Sequence, residues 1–235
     1  MIVRYWMSEN PVTATGEMSL MDAFDLMKKN RIRRLPVMRG TALLGIITQS
    51  NILPFLKNEP ISGDLKGDLR AVLRDRKVRD AMSTKLITCG LNTPLEDAGG
   101  IMREHRVGAL PVLNDKGMLA GIITESDVLE ALAGITKARC EGIRIYLSVP
   151  EGEKIGMISE IAGLCNDYLL ELLTFLSHPL RGGKNELIML RLKGIRTDEF
   201  ISALWKKDYK LLFVTGKVND PGIRKAVSEL DKVYQ

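Results

Sequence analysis

Cysteine and histidine are scarce in this chain of 235 residues, with three of the first and two of the second. Cys89, Cys140 and Cys165 are odd in number, far apart and in no CxxC pair, which argues against a disulfide framework or a zinc site. His105 and His178 stand in no partner pattern, so all five residues read as structural. No apolar run approaches the ~20 residues of a membrane helix. The N-terminus, MIVRYWMSENP, lacks the apolar core of a signal peptide, and the expected location is cytoplasmic. The chain carries no Ser-His-Asp or Cys-His arrangement at recognisable spacing, no P-loop, no Rossmann glycine fingerprint and no metal-ligand cluster. The expectation is a protein that is not an enzyme and requires no cofactor.

What is present is the composition of a soluble globular protein, 45% apolar and 27% charged, in a length that suits one large domain or two ordinary ones. The net charge of +5 is too small to imply nucleic acid. Its distribution is uneven: Lys28, Lys29, Arg31, Arg33, Arg34 and Arg39 form a basic run with no acid among them. Such a run is ordinarily a solvated face. The alternative is a surface for a partner protein or nucleic acid, with no small-molecule ligand; the lack of clustered surface aromatics argues against nucleic acid.

The chain repeats itself. Residues 7–53 align with 82–129, and 18 of the 47 positions in the first copy are identical in the second. Two copies make a paired module; a solenoid needs about three or more. Each copy reads β-α-β-β-α. A short strand (Val12-Thr13, Ile87-Thr88) leads to a helix, which in the first copy carries Leu20, Ala23, Phe24 and Met27 at i, i+3, i+4 and i+7 behind Ser19 as N-cap. The strand Leu35-Pro36-Val37-Met38 follows, then a turn, which the second copy spells Asn114-Asp115-Lys116-Gly117. A strand from Leu43 to Thr48 precedes a second helix starting at Thr48, matched by Thr124. Met7, Met27, Met82 and Met102 recur as core filler. Residues 57–77 read as an exposed, partly helical connection.

Residues 140–235 follow another pattern, β-α-β-β-α-β, a ferredoxin-like plait. Strands are expected at 143–149, 171–177, 187–192 and 211–214. Helices are expected at 157–170, with Ile158, Ile161, Ala162 and Cys165 on one face, at 197–207, and again from Pro221. Residues 179–184 read as the central hairpin turn.

The MS-x4-T starts, the RIRRLPVM and RVGALPVL strands, and the GIIT-x-x-N and GIIT-x-x-D endings resemble a tandem pair of CBS domains, a Bateman module. The resemblance implies CBS copies at 1–56 and 78–136, packed by their sheets about a pseudo-twofold axis. It also implies two clefts for adenosine compounds such as AMP, ADP, ATP or S-adenosylmethionine. A carboxylate can accept from both hydroxyls of a ribose, each charge-assisted bond contributing about 1.5–3 kcal/mol, and a guanidinium binds phosphate bidentately. Asp127 with Thr124, and Arg33 with Arg34, are such groups. By the family pattern the first cleft joins Ile122, Thr124, Ser126 and Asp127 to Met7, Val12, Ile32, Arg33 and Arg34. The second joins Thr48, Ser50 and Asn51 to Met82, Ile87, Val107, Gly108 and Ala109; it has Asn51 for the usual Asp and no cation leading into its strand. One good adenine-nucleotide site and one weak or empty site are expected. Thr124-x-x-Asp127 also reads as a capping box, a role that can coexist with ribose binding.

The later segment 140–235 resembles an ACT domain through its first strand and the residues EGEKIGMISEIA from Glu151, although Ile155 stands where that family has Pro. The resemblance implies a possible amino acid near Gly156, whose glycine backbone geometry alone can also explain, and a homodimer. A CBS pair followed by an ACT domain is the layout of acetoin-utilisation accessory proteins. The implied function is regulatory sensing of an adenine nucleotide.

Overall fold

A computed structural model describes residues 1–57, 65–150, 152–180, 184–207, 209–216, 220–222, 224 and 225. The chain divides into two compact units, Met1–Glu130 and Ala131–Gln235. Among the described residues no helix is long and apolar enough to cross a membrane.

In the first unit, after a 3-10 turn at Val3–Tyr5, come β1 (Ser8–Glu9), β2 (Ala14–Thr15), α1 (Leu20–Lys29), β3 (Arg34–Arg39), β4 (Ala42–Thr48) and α2 (Gln49–Ile52). Three helices follow, α3 (Pro54–Lys57), α4 (Leu65–Asp75) and α5 (Val78–Ala81). The second copy is β5 (Cys89–Gly90), α6 (Leu95–His105), β6 (Ala109–Leu113), β7 (Leu119–Thr124) and α7 (Glu125–Ile135), the last running past the end of the first unit at Glu130. Ser19 caps α1 as expected, its Oγ accepting from the Asp22 N–H at 3.0 Å. Leu20, Ala23 and Met27 are buried against Leu35, Val37 and Ile47. The Asn114 carboxamide accepts from the N–H groups of Lys116 and Met118, closing the predicted turn. The connection at 57–77 is helical at α4, with Leu73 buried; residues 58–64 lie outside the described residues.

The first strand of each copy stands two residues later than expected, at Ala14–Thr15 and Cys89–Gly90. Here each pairs in parallel with the second strand of its own copy, Ala14 with Val37 and Cys89 with Val112. The residues in front of it cross over to the other copy. Ser8 and Glu9 pair with Ile122 and Gly121, which gives the sheet β1-β7-β6-β5, and Ser83 bridges Ile46 beside the sheet β2-β3-β4. Glycine at 121 and 45 permits the crossing. A Cβ on Gly121 would stand 2.8 Å from the Ser8 carbonyl oxygen, and one on Gly45 2.6 Å from that of Ser83.

The second unit contains β8 (Ile143–Pro150), α8 (Lys154–Asp167), β9 (Glu171–Pro179), β10 (Asn185–Lys193), α9 (Thr197–Trp205) and β11 (Lys210–Thr215). The order is β-α-β-β-α-β, and the antiparallel sheet runs β11-β8-β10-β9, the unit's fourth, first, third and second strands. Ile143, Ile145, Leu147 and Val149 are all buried, as their alternation requires. The helix face is corrected: α8 buries Met157, Ile161 and Cys165, while Ile158 and Ala162 are exposed. The helix starts at Lys154, three residues early, and meets the sheet along an i, i+4, i+8 line. Residues 181–183 of the hairpin turn, Glu151, and most of the stretch after Pro221 lie outside the described residues.

Burial pushes the Cys89 thiol up to about 11 and raises that of Cys165, whereas Cys140 is exposed. A cysteine attacks a disulfide as its thiolate. One of the three cysteines is therefore expected to react rapidly with a disulfide reagent in native buffer, and all three in denaturant. Fast titration of two or more in native buffer would contradict this packing.

Candidate functional site

The first cleft, about 620 Å³, is lined from the first copy by Val12, Ile32, Arg33 and Arg34 and from the second by Ile122, Thr124, Ser126 and Asp127. Eight of the nine residues assigned to it from sequence meet there. The ninth, Met7, does not line it; its sulfur lies against Gly121, where the crossing chain passes. The second cleft, about 530 Å³, collects Thr48, Ser50, Asn51, Ile87, Val107, Gly108 and Ala109. Met82 is likewise absent from it and packs over Gly45.

Thr124 ends β7 and Asp127 lies in the first turn of α7. Asp127 Oδ2 accepts from the Thr124 N–H and from its hydroxyl, both at 2.7 Å. The cap consumes one carboxylate oxygen, so Oδ1 remains for a second acceptor role in the cleft. In the first copy Asn51 Oδ1 accepts from the Thr48 N–H at 3.0 Å and from its hydroxyl at 2.7 Å. The backbone N–H is always a donor and fixes which end of the amide faces it. Asn51 therefore has only its NH2 left, a donor where Asp127 keeps an acceptor. The matched caps carry the difference between the two clefts.

The positions leading into the second cleft's strand, Gly108 and Ala109, carry no cation, but the cleft is not uncharged. Lys85 and Arg106 line it, and Arg33 and Arg34 line both clefts. Arg106 matches Arg31; both take left-handed backbone (φ 55°) where their helices end, a conformation that costs a non-glycine residue about 1–2 kcal/mol. The reach of Arg34 could not be read from spacing, because it depends on its neighbour across the pseudo-dyad being glycine. A Cβ on Gly108 would stand 3.1 Å from both terminal nitrogens of Arg34 and 2.9 Å from Glu125 Oε2. Burial holds the Arg34 guanidinium below its ordinary range; Glu125 acts against that and Arg33 adds to it. Glu125, missed from sequence, lines the first cleft.

Gly156 is not a turn residue. It lies inside α8 with open space where its Cβ would be, and the left-handed glycine of the preceding turn is Gly152, at φ 98°.

Two copies of one β-α-β-β-α fold, each lending its leading segment to the other's sheet around a pair of clefts, define a tandem two-cleft module. The CBS domain family model matches residues 3–58 and 78–134. A CBS domain-containing protein from Dictyostelium discoideum is 34% identical over 132 residues, which cover 56% of this chain and 90% of that one. The chain belongs to the CBS-domain family, as a tandem pair. An uncharacterized 33.4 kDa protein in a ribosomal RNA operon of Thermofilum pendens is 33% identical over 129 residues; the match covers 55% of this chain and only 41% of that relative. Among solved structures, CBSX2 of Arabidopsis thaliana in complex with AMP is 25% identical, with a TM-score of 0.49 over 57% of this chain and 97% of its own. An acetoin utilization protein (AcuB) from Vibrio cholerae is 25% identical, with a TM-score of 0.49 over 59% of this chain and 95% of its own.

Proposed function

We propose that the chain is a regulatory sensor, not an enzyme, and that its first cleft binds an adenine nucleotide or related adenosine compound. The observation that carries the reading is that one cavity of about 620 Å³ holds the Asp127 carboxylate, the Arg33 and Arg34 guanidiniums and the apolar side chains of Val12, Ile32 and Ile122. A carboxylate suits a ribose diol, guanidiniums suit phosphate, and the apolar wall suits a base. CBS copies at 1–56 and 78–136 are part of the reading. Calorimetric titration of the full chain with AMP, ATP and S-adenosylmethionine tests it; at least one is expected to bind at one strong site per chain. No heat with any of the three would overturn it. The second reading, a partner surface on the basic run, is favoured by the exposure of Lys28, Lys29, Arg31, Arg33 and Arg39. Retention of a mixed-sequence RNA at physiological salt, lost on reversing Lys28 and Lys29, would support it.

The unit at 140–235 we read as an ACT-like module, on the strength of its strand order and of a helix that begins directly after the Gly152 turn. Stabilisation by a free amino acid in a thermal-shift screen is the expected sign; a flat screen counts against it.

We read the chain as a homodimer; the exposure of Leu129, Leu132 and Ile135 at i, i+3 and i+6 of α7 supports that reading. Light scattering at micromolar concentration is expected to give twice the chain mass, and the doubly substituted Leu129→Asp, Leu132→Asp chain the single mass. A wild type already at the single mass would remove the dimer.

A further inference from the structure

We propose that Arg34 is one phosphate clamp shared by both clefts, so that a nucleotide held in one weakens the binding of a nucleotide in the other. The inference rests on the nucleotide reading above and adds regulation to it. Arg34 borders each cavity, and its guanidinium lies where the second copy has given up a side chain, at Gly108. One terminal nitrogen, Nη1, is shielded from solvent and has no hydrogen-bond partner among the described residues. The Glu125 carboxylate stands beside the guanidinium but takes no hydrogen bond from Nη1, and a buried charged donor without an acceptor gains from a small turn toward a phosphate that supplies one.

A planar guanidinium meets one phosphate with a fork of two parallel donors and cannot turn that fork to two sides at once. Whichever cleft fills first takes the clamp. The other is left with Arg33, Lys85 and Arg106 if it is the second cleft, or with Arg31 and Arg33 if it is the first. Asp127 biases the order, because only the first cleft adds a carboxylate for the ribose. The expected sequence is filling of the first cleft, with the second held back as long as the first is occupied.

The test is calorimetry with AMP, and with adenosine as a probe lacking phosphate. In wild type the second AMP is expected to bind severalfold more weakly than AMP binds the second cleft of the Asp127→Ala chain, whose weakened first cleft competes less for Arg34. Adenosine is expected to show no such penalty. Arg34→Met is expected to abolish the difference. Gly108→Ala keeps the charge but displaces the guanidinium, and is expected to reduce the difference; it serves if Arg34→Met does not fold. Two AMP sites that fill independently in wild type, or a penalty that survives unchanged in both variants, overturns the shared clamp and leaves the nucleotide reading standing. AMP binding that ignores Asp127→Ala overturns the cleft assignment and the clamp with it.

Discussion

Replacing Asp127 by Asn is expected to weaken AMP binding about tenfold while leaving the folding stability of the chain nearly unchanged. The two roles of this residue separate at its two oxygens. Oδ2 accepts both cap bonds from Thr124, and an amide oxygen does the same work, as Asn51 does for Thr48. The other position changes from acceptor to donor. A charge-assisted bond to a ribose hydroxyl is lost, at about 1.5 kcal/mol or more, which is about tenfold in affinity. Asp127→Ala removes the cap as well, and is expected to lower stability by about 1 kcal/mol in addition. The reverse exchange, Asn51→Asp, should strengthen the second cleft. Calorimetry for binding and urea melts for stability read both effects. An Asp127→Asn chain that binds AMP as tightly as wild type would falsify the ribose role and leave a cap.

Gly121→Ala and Gly45→Ala are each expected to destabilise the first unit by about 3 kcal/mol, the upper part of the range for overpacking. At both sites the added methyl meets a backbone carbonyl at under 3 Å, the Ser8 oxygen in one case and the Ser83 oxygen in the other. A backbone group cannot rotate aside as a side-chain tip can, so the crossing segment must lift off its partner strand. Gly100→Ala is the control: its Cβ would meet nothing within 4 Å, and it lies inside α6. There alanine should stabilise by up to about 1 kcal/mol. Loss of less than about 0.5 kcal/mol at Gly121 and Gly45 would mean that the crossing is looser than described.

Local features of this fold are legible in the chain itself. The apolar spacing of α1, its Ser19 cap and the Asn114 turn depend on neighbours within four residues, and the structure places them as expected. The make-up of the clefts rests on the resemblance to CBS pairs, which implies that the strand entry of one copy meets the Thr-x-x-Asp end of the other. Contacts that depend on a distant partner are not legible. Nothing near Ser8 announces that it pairs with Ile122, and Met7 and Met82 enter the clefts only through the family pattern. Arg34 reads as a clamp for one cleft; its place in both requires the empty site at Gly108. On α8, apolar residues on adjacent positions leave the buried stripe ambiguous by one residue, and the sheet selects Met157 over Ile158.

The exchange of leading segments bears on how such a chain is made. As it leaves the ribosome, the earlier copy cannot complete the border of its sheet until Ser83 has emerged, and the later copy must recover a segment synthesised more than a hundred residues before. Neither copy is a finished product alone. A chain with only one copy could complete that border only on a second molecule, so holding both copies in one chain makes the pairing intramolecular.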